Sequence, residues 1–273
     1  MKLPAMETLG LALADGIAHI QLNRPDKANA IDLRMWGELR TAMHWLNDTP
    51  QARVAVLSGA GAHFSAGLDL STFGELQAAT RGECDGRSRE RLLQIILDIQ
   101  DAVTAIERCS KPVIASVHAA CVGGGVDIIA ACDLRYCSRE AWFSVKEIDV
   151  ALVADVGTLQ RLPALIGDGM TRELAYTARR VDGEEAAAIR LVNRCFDDHE
   201  ALRQGVDEIA KALAAKSPLA LRGTKRMIIH ARDHSVGEGL QQVALWNAAM
   251  LFSKDLQEAG NARYESRPPV FDD

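Results

Sequence analysis

Three acidic side chains sit among apolar neighbours in the middle of this 273-residue chain: Asp127 in GGGVDII, Glu147 in SVKEIDV and Asp155 in ALVADVGTL. A carboxylate in such company has two readings. It is an N-cap or salt-bridge partner, or it is a proton-transfer group whose charged form its surroundings disfavour. Asp149 competes with Glu147 as a base, because only a helical conformation would turn it away. Two glycine-rich runs accompany the acids. The first, Gly59 to Gly67, leads into Leu68 and Asp69; it matches neither a dinucleotide fingerprint nor a P-loop, and leaves a backbone able to approach a ligand and aim an N–H at it. The second, Gly123, Gly124 and Gly125, lies where a buried strand passes into the helix bearing Asp127. Free N–H groups there could stabilise a developing negative charge, or the glycines could simply allow close packing.

Other reactive residues carry weaker signals. His230 and His234 are four apart without an H-E-x-x-H pattern, so a surface or interface role outranks a metal site. His118 reads as a satisfied core histidine and His63 as a polar loop group. Cys121 has no paired base in view, and Ser65 and Ser116 lack the context of a nucleophile elbow. Trp142 and Phe143 read as core. No metal is expected.

Positioning these groups requires a framework that alternates strand and helix. GIAHIQLN alternates like a strand, and RPDKANAI after it reads as turn and loop. Asp32 is placed to cap a helix through Trp45, with Leu33, Trp36, Leu39, Met43 and Leu46 at helical spacing. Val54 to Ser58 is a strand candidate. The polar stretch from Thr72 to Arg91 predicts a flexible excursion that covers or lines the site, followed by a long helix from Arg91 to Arg108. PVIASVHAACV reads as a buried strand, another short strand follows from Asp133 to Tyr136, and KEIDVALVADVG reads as a loop. After Phe196 the pattern is almost wholly helical. Strand and helix alternation followed by helices alone predicts an α/β core over residues 1–200 and a C-terminal helical region over 201–273, a second small unit or a subunit interface.

Composition narrows the function classes. The formal charge is -6, which disfavours a nonspecific nucleic-acid surface. Six cysteines at 84, 109, 121, 132, 137 and 195 form no C-x-x-C pair, consistent with reduced thiols. No apolar run approaches the length of a membrane span, the start MKLPAMETLGLALADG has no signal-peptide h-region, and PPVFDD is not a peroxisomal address. A cytoplasmic location is the resulting expectation.

Taken in order, HFSAGLDL, CVGGGVDIIAACDLRYCS, FSVKEIDVALVADVGTLQRLPALIG and ELAYTARRVDGEEAAAIRLVNRCF resemble the enoyl-CoA hydratase/isomerase, or crotonase, superfamily across essentially the whole chain. Within it the chain looks like the dienoyl-CoA isomerase branch, because Asp155 stands where hydratases usually carry glycine and Asp127 where they carry glutamate. The resemblance implies a crotonase-like spiral of β-β-α units, a C-terminal helical region for active-site closure and oligomerisation, and homotrimers or hexamers built as dimers of trimers. It implies an acyl-CoA substrate, with coenzyme A part of that substrate and no separate cofactor. Leu68 and Gly124 are implied as the two N–H donors to the thioester carbonyl, Glu147 as the group at C2, Asp155 as the group at C6 and Asp127 as an auxiliary carboxylate. Lys27, Ala28, Ala66 and Leu68 are implied as coenzyme A contacts. The lysine that members often carry near the C-terminus is missing from YESRPPVF, where Arg263 and Arg267 stand nearby. The implied reaction converts 3,5-dienoyl-CoA to 2,4-dienoyl-CoA. Hydration of a 2-enoyl-CoA is the nearest rival, a 3-to-2 enoyl isomerase a lesser one, and a non-catalytic RNA-binding or interaction protein of the same fold the rival from another class.

Overall fold

The computed structural model describes residues 3–82 and 84–273. Strand β1 (Leu9–Ala14) folds back on β2 (Ile17–Leu22) through Asp15 and Gly16, whose φ values of 51° and 77° suit a two-residue hairpin turn. After a 3-10 turn at Pro25–Lys27, helix α1 (Leu33–Asp48) starts where expected: the Asp32 carboxylate accepts the Met35 N–H at 2.8 Å. Its Trp36, Leu39, Met43 and Leu46 are buried, while Leu33 is only partly so. Strand β3 (Val54–Gly59) follows and pairs parallel to β2.

The stretch from Thr72 to Arg91 is not the flexible excursion its polarity predicts. It forms helix α2 (Thr72–Thr80) and the first turns of α3 (Asp85–Arg108); Glu83 lies outside the described residues. The discrepancy has a physical origin. The apolar side chains of these helices face a cavity rather than the core, and a helix that buries little reads as polar in sequence.

PVIASVHAACV also divides. Strand β4 (Val113–Val117) enters the large sheet, Ala119 bends the chain with φ 47°, and β5 (Ala120–Val122) begins a second sheet. Helix α4 (Gly124–Ala131) closes that unit. The next unit repeats the path: β6 (Leu134–Ser138) runs parallel to β4, and β7 (Trp142–Ser144) parallel to β5. A 3-10 turn at Glu147–Val150, α5 (Thr158–Ile166) and α6 (Asp168–Thr177) follow. This is the expected spiral of β-β-α units. Short β8 (Val181–Asp182), α7 (Gly183–Ala188) and β9 (Arg194–Phe196) complete the sheets, whose orders are β1-β2-β3-β4-β6-β9 and β5-β7-β8.

Helix α8 (His199–Ala214) packs Leu202, Val206 and Ala210 on the back of the large sheet against Ile17, Val54 and Ile114. Beyond it lie α9 (Pro218–Asp233), α10 (Val236–Met250) and α11 (Lys254–Tyr264), each opened by a serine: Ser217, Ser235 and Ser253 accept the N–H groups of Ala220, Glu238 and Leu256. One buried cation fixes this tail to the core. Lys225 on α9 donates to the carbonyls of Ile106 and Lys111 at 3.2 and 3.1 Å and to the Asp133 carboxylate at 2.7 Å. The same Asp133 accepts the Val113 N–H at the start of β4.

Candidate active site

The loop after β3 is stitched to β5 by main-chain bonds, Ser65 N–H to the Ala120 carbonyl at 2.9 Å and Val122 N–H to the Ser65 carbonyl at 3.0 Å. This brings the two glycine runs side by side. At Gly67 (φ 89°) a Cβ would stand 2.8 Å from the Val122 carbonyl oxygen, so the approach requires glycine. The loop also bridges to Ile31: Ile31 N–H donates to the Gly67 carbonyl and Asp69 N–H to the Ile31 carbonyl. A parallel bridge uses those two groups and leaves the N–H of Leu68 without an acceptor among the described residues. Arg24 holds the same loop, 2.9 Å from Asp69 and 3.3 Å from Asp32.

In the second run, Gly123 donates its N–H to the Ser144 carbonyl at 3.0 Å, and α4 begins one residue later. The Gly124 N–H is therefore the first of a helix, with no acceptor within it and none elsewhere among the described residues. A Cβ on Gly124 would press to 3.1 Å from the Trp36 ring. Leu68 and Gly124 line one cavity of about 440 Å³, and so do Ala66, Asp127, Glu147 and Asp155. Its walls are apolar, with Trp36, Phe73, Leu76, Leu92, Ile96 and Ile99 among them. Lys27 and Ala28 stand outside it. Lys27 is exposed, and the Ala28 carbonyl accepts the Ala66 N–H at 2.9 Å, which sets that turn against the cavity rim.

The three acids are held differently. Asp127 is buried in α4, and its Oδ1 accepts the Thr158 N–H at 2.6 Å, the first N–H of α5. It thus caps the start of α5 and lines the cavity. Burial raises its pKa to about 6, against the opposing Thr158 bonds. Glu147 is raised to about 7, first by burial and then by the charges of Asp127 and Asp155. Its Oε2 is buried and has no hydrogen-bond partner among the described residues. Asp155 lies at the rim, exposed on one side, and partial burial raises its pKa too. Asp149 is resolved as a rival: it is exposed on the 3-10 turn, paired with Lys146, and absent from the cavity wall.

The remaining candidates fall on the structural side. His118 is buried, its Nε2–H donates to the Gly61 carbonyl at 2.9 Å, and it stacks on His199. Burial pushes the Cys121 thiol well up, which disfavours the nucleophilic thiolate. Arg267 is paired with Glu258 and Glu265 on the C-terminal surface. Sequence reasoning set the stretch from Thr72 to Arg91 over the site, and it does line the cavity, but it missed the helical form of that stretch, the share of α3 in the apolar wall, and Thr158. The wall had a legible signal, since Leu92, Ile96 and Ile99 recur at i, i+4 and i+7.

Crowded glycines at two unengaged N–H groups, beside carboxylates whose pKa burial raises, suit a carbonyl compound that gains negative charge and exchanges protons. Comparison with known proteins agrees. The family model described as Enoyl-CoA hydratase/isomerase matches residues 13–273, and the chain belongs to that family. Within it, the chain is 48% identical over 256 residues to the peroxisomal Delta(3,5)-Delta(2,4)-dienoyl-CoA isomerase of Arabidopsis thaliana, covering 93% of this chain and 92% of the relative. It is 43% identical over 252 residues to the mitochondrial enzyme of the same name from Homo sapiens, covering 92% of this chain and 77% of that one. Among solved structures, an enoyl-CoA hydratase from Bacillus anthracis superposes with a TM-score of 0.88 at 30% identity, covering 97% of this chain and 99% of that one. A putative enoyl-CoA hydratase from Streptomyces coelicolor A3(2) gives 0.90 at 26% identity, covering 99% and 96%.

The expected cytoplasmic location is corrected by these relatives, which are named peroxisomal or mitochondrial. The physical reason is that compartment is written in short address segments that the fold does not need, so the residues building core and site do not record it.

Proposed function

We propose that this chain isomerises 3,5-dienoyl-CoA to 2,4-dienoyl-CoA. The observation that carries the reading is the third carboxylate, Asp155, on the wall of the same apolar cavity as Glu147 and the Leu68 and Gly124 N–H groups. Glu147 takes the proton from C2, and the electron pair spreads from the thioester oxygen through the conjugated chain to C6. The two N–H groups stabilise the charge on oxygen, at a position where a single such donor contributes on the order of 3 kcal/mol. Asp155 then gives its proton to C6, leaving double bonds at C2 and C4. C2 and C6 are four bonds apart, so two fixed acids serve where one would have to travel.

Burial raises the pKa of both acids, of Glu147 to about 7 and of Asp155 at the rim. An acyl chain lying against the rim separates their roles. It removes water from Asp155 and raises its pKa further, while donors around the thioester favour an ionised Glu147 nearby. Proton transfer of this kind calls for no cofactor beyond the coenzyme A of the substrate. Lys27, Ala28, Ala66 and Leu68 are proposed as its contacts, with the Ala28–Ala66 bond joining the turn to the pocket mouth.

Hydration is disfavoured because the Asp127 Oδ1 is committed to Thr158, which leaves this short side chain poorly free to share a water with Glu147. We also propose that the C-terminal helices form the contacts of a trimer or a dimer of trimers. No residue of α10 is buried, and Val236, Leu240, Leu245 and nearby Phe252 are exposed. The deciding experiment offers the purified protein a 3,5-dienoyl-CoA and a 2-enoyl-CoA side by side. Rapid appearance of the conjugated 2,4-dienoyl chromophore with slow hydration is expected; efficient hydration without isomerisation would overturn the proposal.

A further inference from the structure

Between the 3-10 turn at Glu147–Val150 and α5, the chain crosses the cavity rim as residues 151–157. Its ends are secured: Leu152 donates its N–H to the Glu147 carbonyl at 3.0 Å, and Thr158 donates to Asp127 at 2.6 Å. Residues 153–156 make only one hydrogen bond to any other described residue. The side-chain amide of Gln100 donates to the Asp155 carbonyl at 2.6 Å. Gln100 stands on α3, and α3 is itself fixed to α5 by Glu107 and Arg161, 2.8 Å apart with both side chains largely buried. Leu92, Ile96 and Ile99 of the same helix form part of the acyl wall.

We infer that Gln100 is a positioning residue for Asp155, setting the rim acid at C6 by fixing its main chain to the helix that lines the acyl chain. The inference rests on the proposed isomerisation. A carboxylate on an otherwise untethered four-residue span has its reach set by that span, and misplacement by about 1 Å can cost a proton donor as much as 10²-fold. Gln100 does not border the cavity that holds the acids; it lines the neighbouring polar one, so its loss should spare substrate binding.

The test compares wild type with Gln100→Met, which removes the donor at nearly constant volume, and Gln100→Glu, which replaces it with an acceptor. Gln160→Met, on the same polar cavity but with a side chain that makes no bond to the span, is the control. Both Gln100 variants should lose about tenfold or more in kcat while KM stays within about twofold. The slow step should move from proton removal at C2 to delivery at C6. The isotope effect from deuterium at C2 should therefore shrink, and the solvent isotope effect should grow. Wild-type kcat in both variants, or a loss shared with the control and with isotope effects unmoved, would overturn the inference. Absence of isomerisation in the wild type itself would instead sink the reading of function on which it rests.

Discussion

The floor and the rim of this cavity are built by opposite means. At the floor, main-chain bonds from Ser65, Val122, Gly123 and Ile31 fix the glycine runs, and the Leu68 and Gly124 N–H groups are left over between them. At the rim, Asp155 is exposed and the span carrying it is tied by one side chain. Charge stabilisation needs fixed dipoles that do not reorganise, whereas a proton donor that meets chains entering and leaving has to sit at an opening. Rigidity is concentrated where the charge is held, and access where the second proton is delivered.

Substitutions can sharpen or break this contrast. The largest effect is expected for Glu147→Gln, a loss of isomerisation on the order of 10³-fold or more in kcat, because the other buried acid of the cavity, Asp127, is engaged by the Thr158 N–H. Next comes Gly67→Ala, which combines a left-handed φ with a collision against Val122. It should displace the Leu68 N–H and lower kcat on the order of 10²–10³-fold. At the rim, Asp155→Asn should cost about 10²-fold in isomerisation and leave any slow hydration in place. If the two floor variants were milder than the rim variant, the proposed division of labour would be wrong.

The smallest expected effect concerns stability. Glu147 is raised from 4.5 to about 7 in the fold, so the folded state binds its proton more tightly than the unfolded chain. Its contribution to stability is full below about pH 4.5 and declines as pH rises toward 7, where the buried group must ionise. Glu147→Gln should then raise the Tm at pH 8 by the equivalent of about 1–3 kcal/mol, with little gain at pH 4, as read by thermal unfolding at the two values. A gain that is equal at both pH values would mean that the side chain's charge is not what strains the floor.

The floor was legible in the sequence and the rim less so. Glycine runs announce places where backbone must approach backbone, and Gly67 and Gly124 prove to be such places. Acids among apolar residues announce burial, and Asp127 is buried. The Asp32 cap and the stripe on α1 followed from spacing alone. What could not be read was contact between segments distant in sequence, such as Gln100 with Asp155 or Asp127 with Thr158. Helix α2 escaped for a related reason, since Phe73 and Leu76 face a cavity and leave no core stripe for periodicity to register. The split of PVIASVHAACV between two sheets turned on one left-handed residue, Ala119, of a type that gives no warning.

The ion pair between Lys225 and Asp133 also bears on the order in which the molecule can assemble. Its partners lie 92 residues apart, and Asp133 is already committed to the start of β4 through Val113. A chain made from its N-terminus presents Asp133 and β4 before Lys225, so Lys225 is the later partner to be made. Burial raises the Asp133 pKa and Lys225 opposes that shift while holding α9 on the core. One carboxylate thus serves both the sheet and the helical tail, and a change at Asp133 would be felt in both.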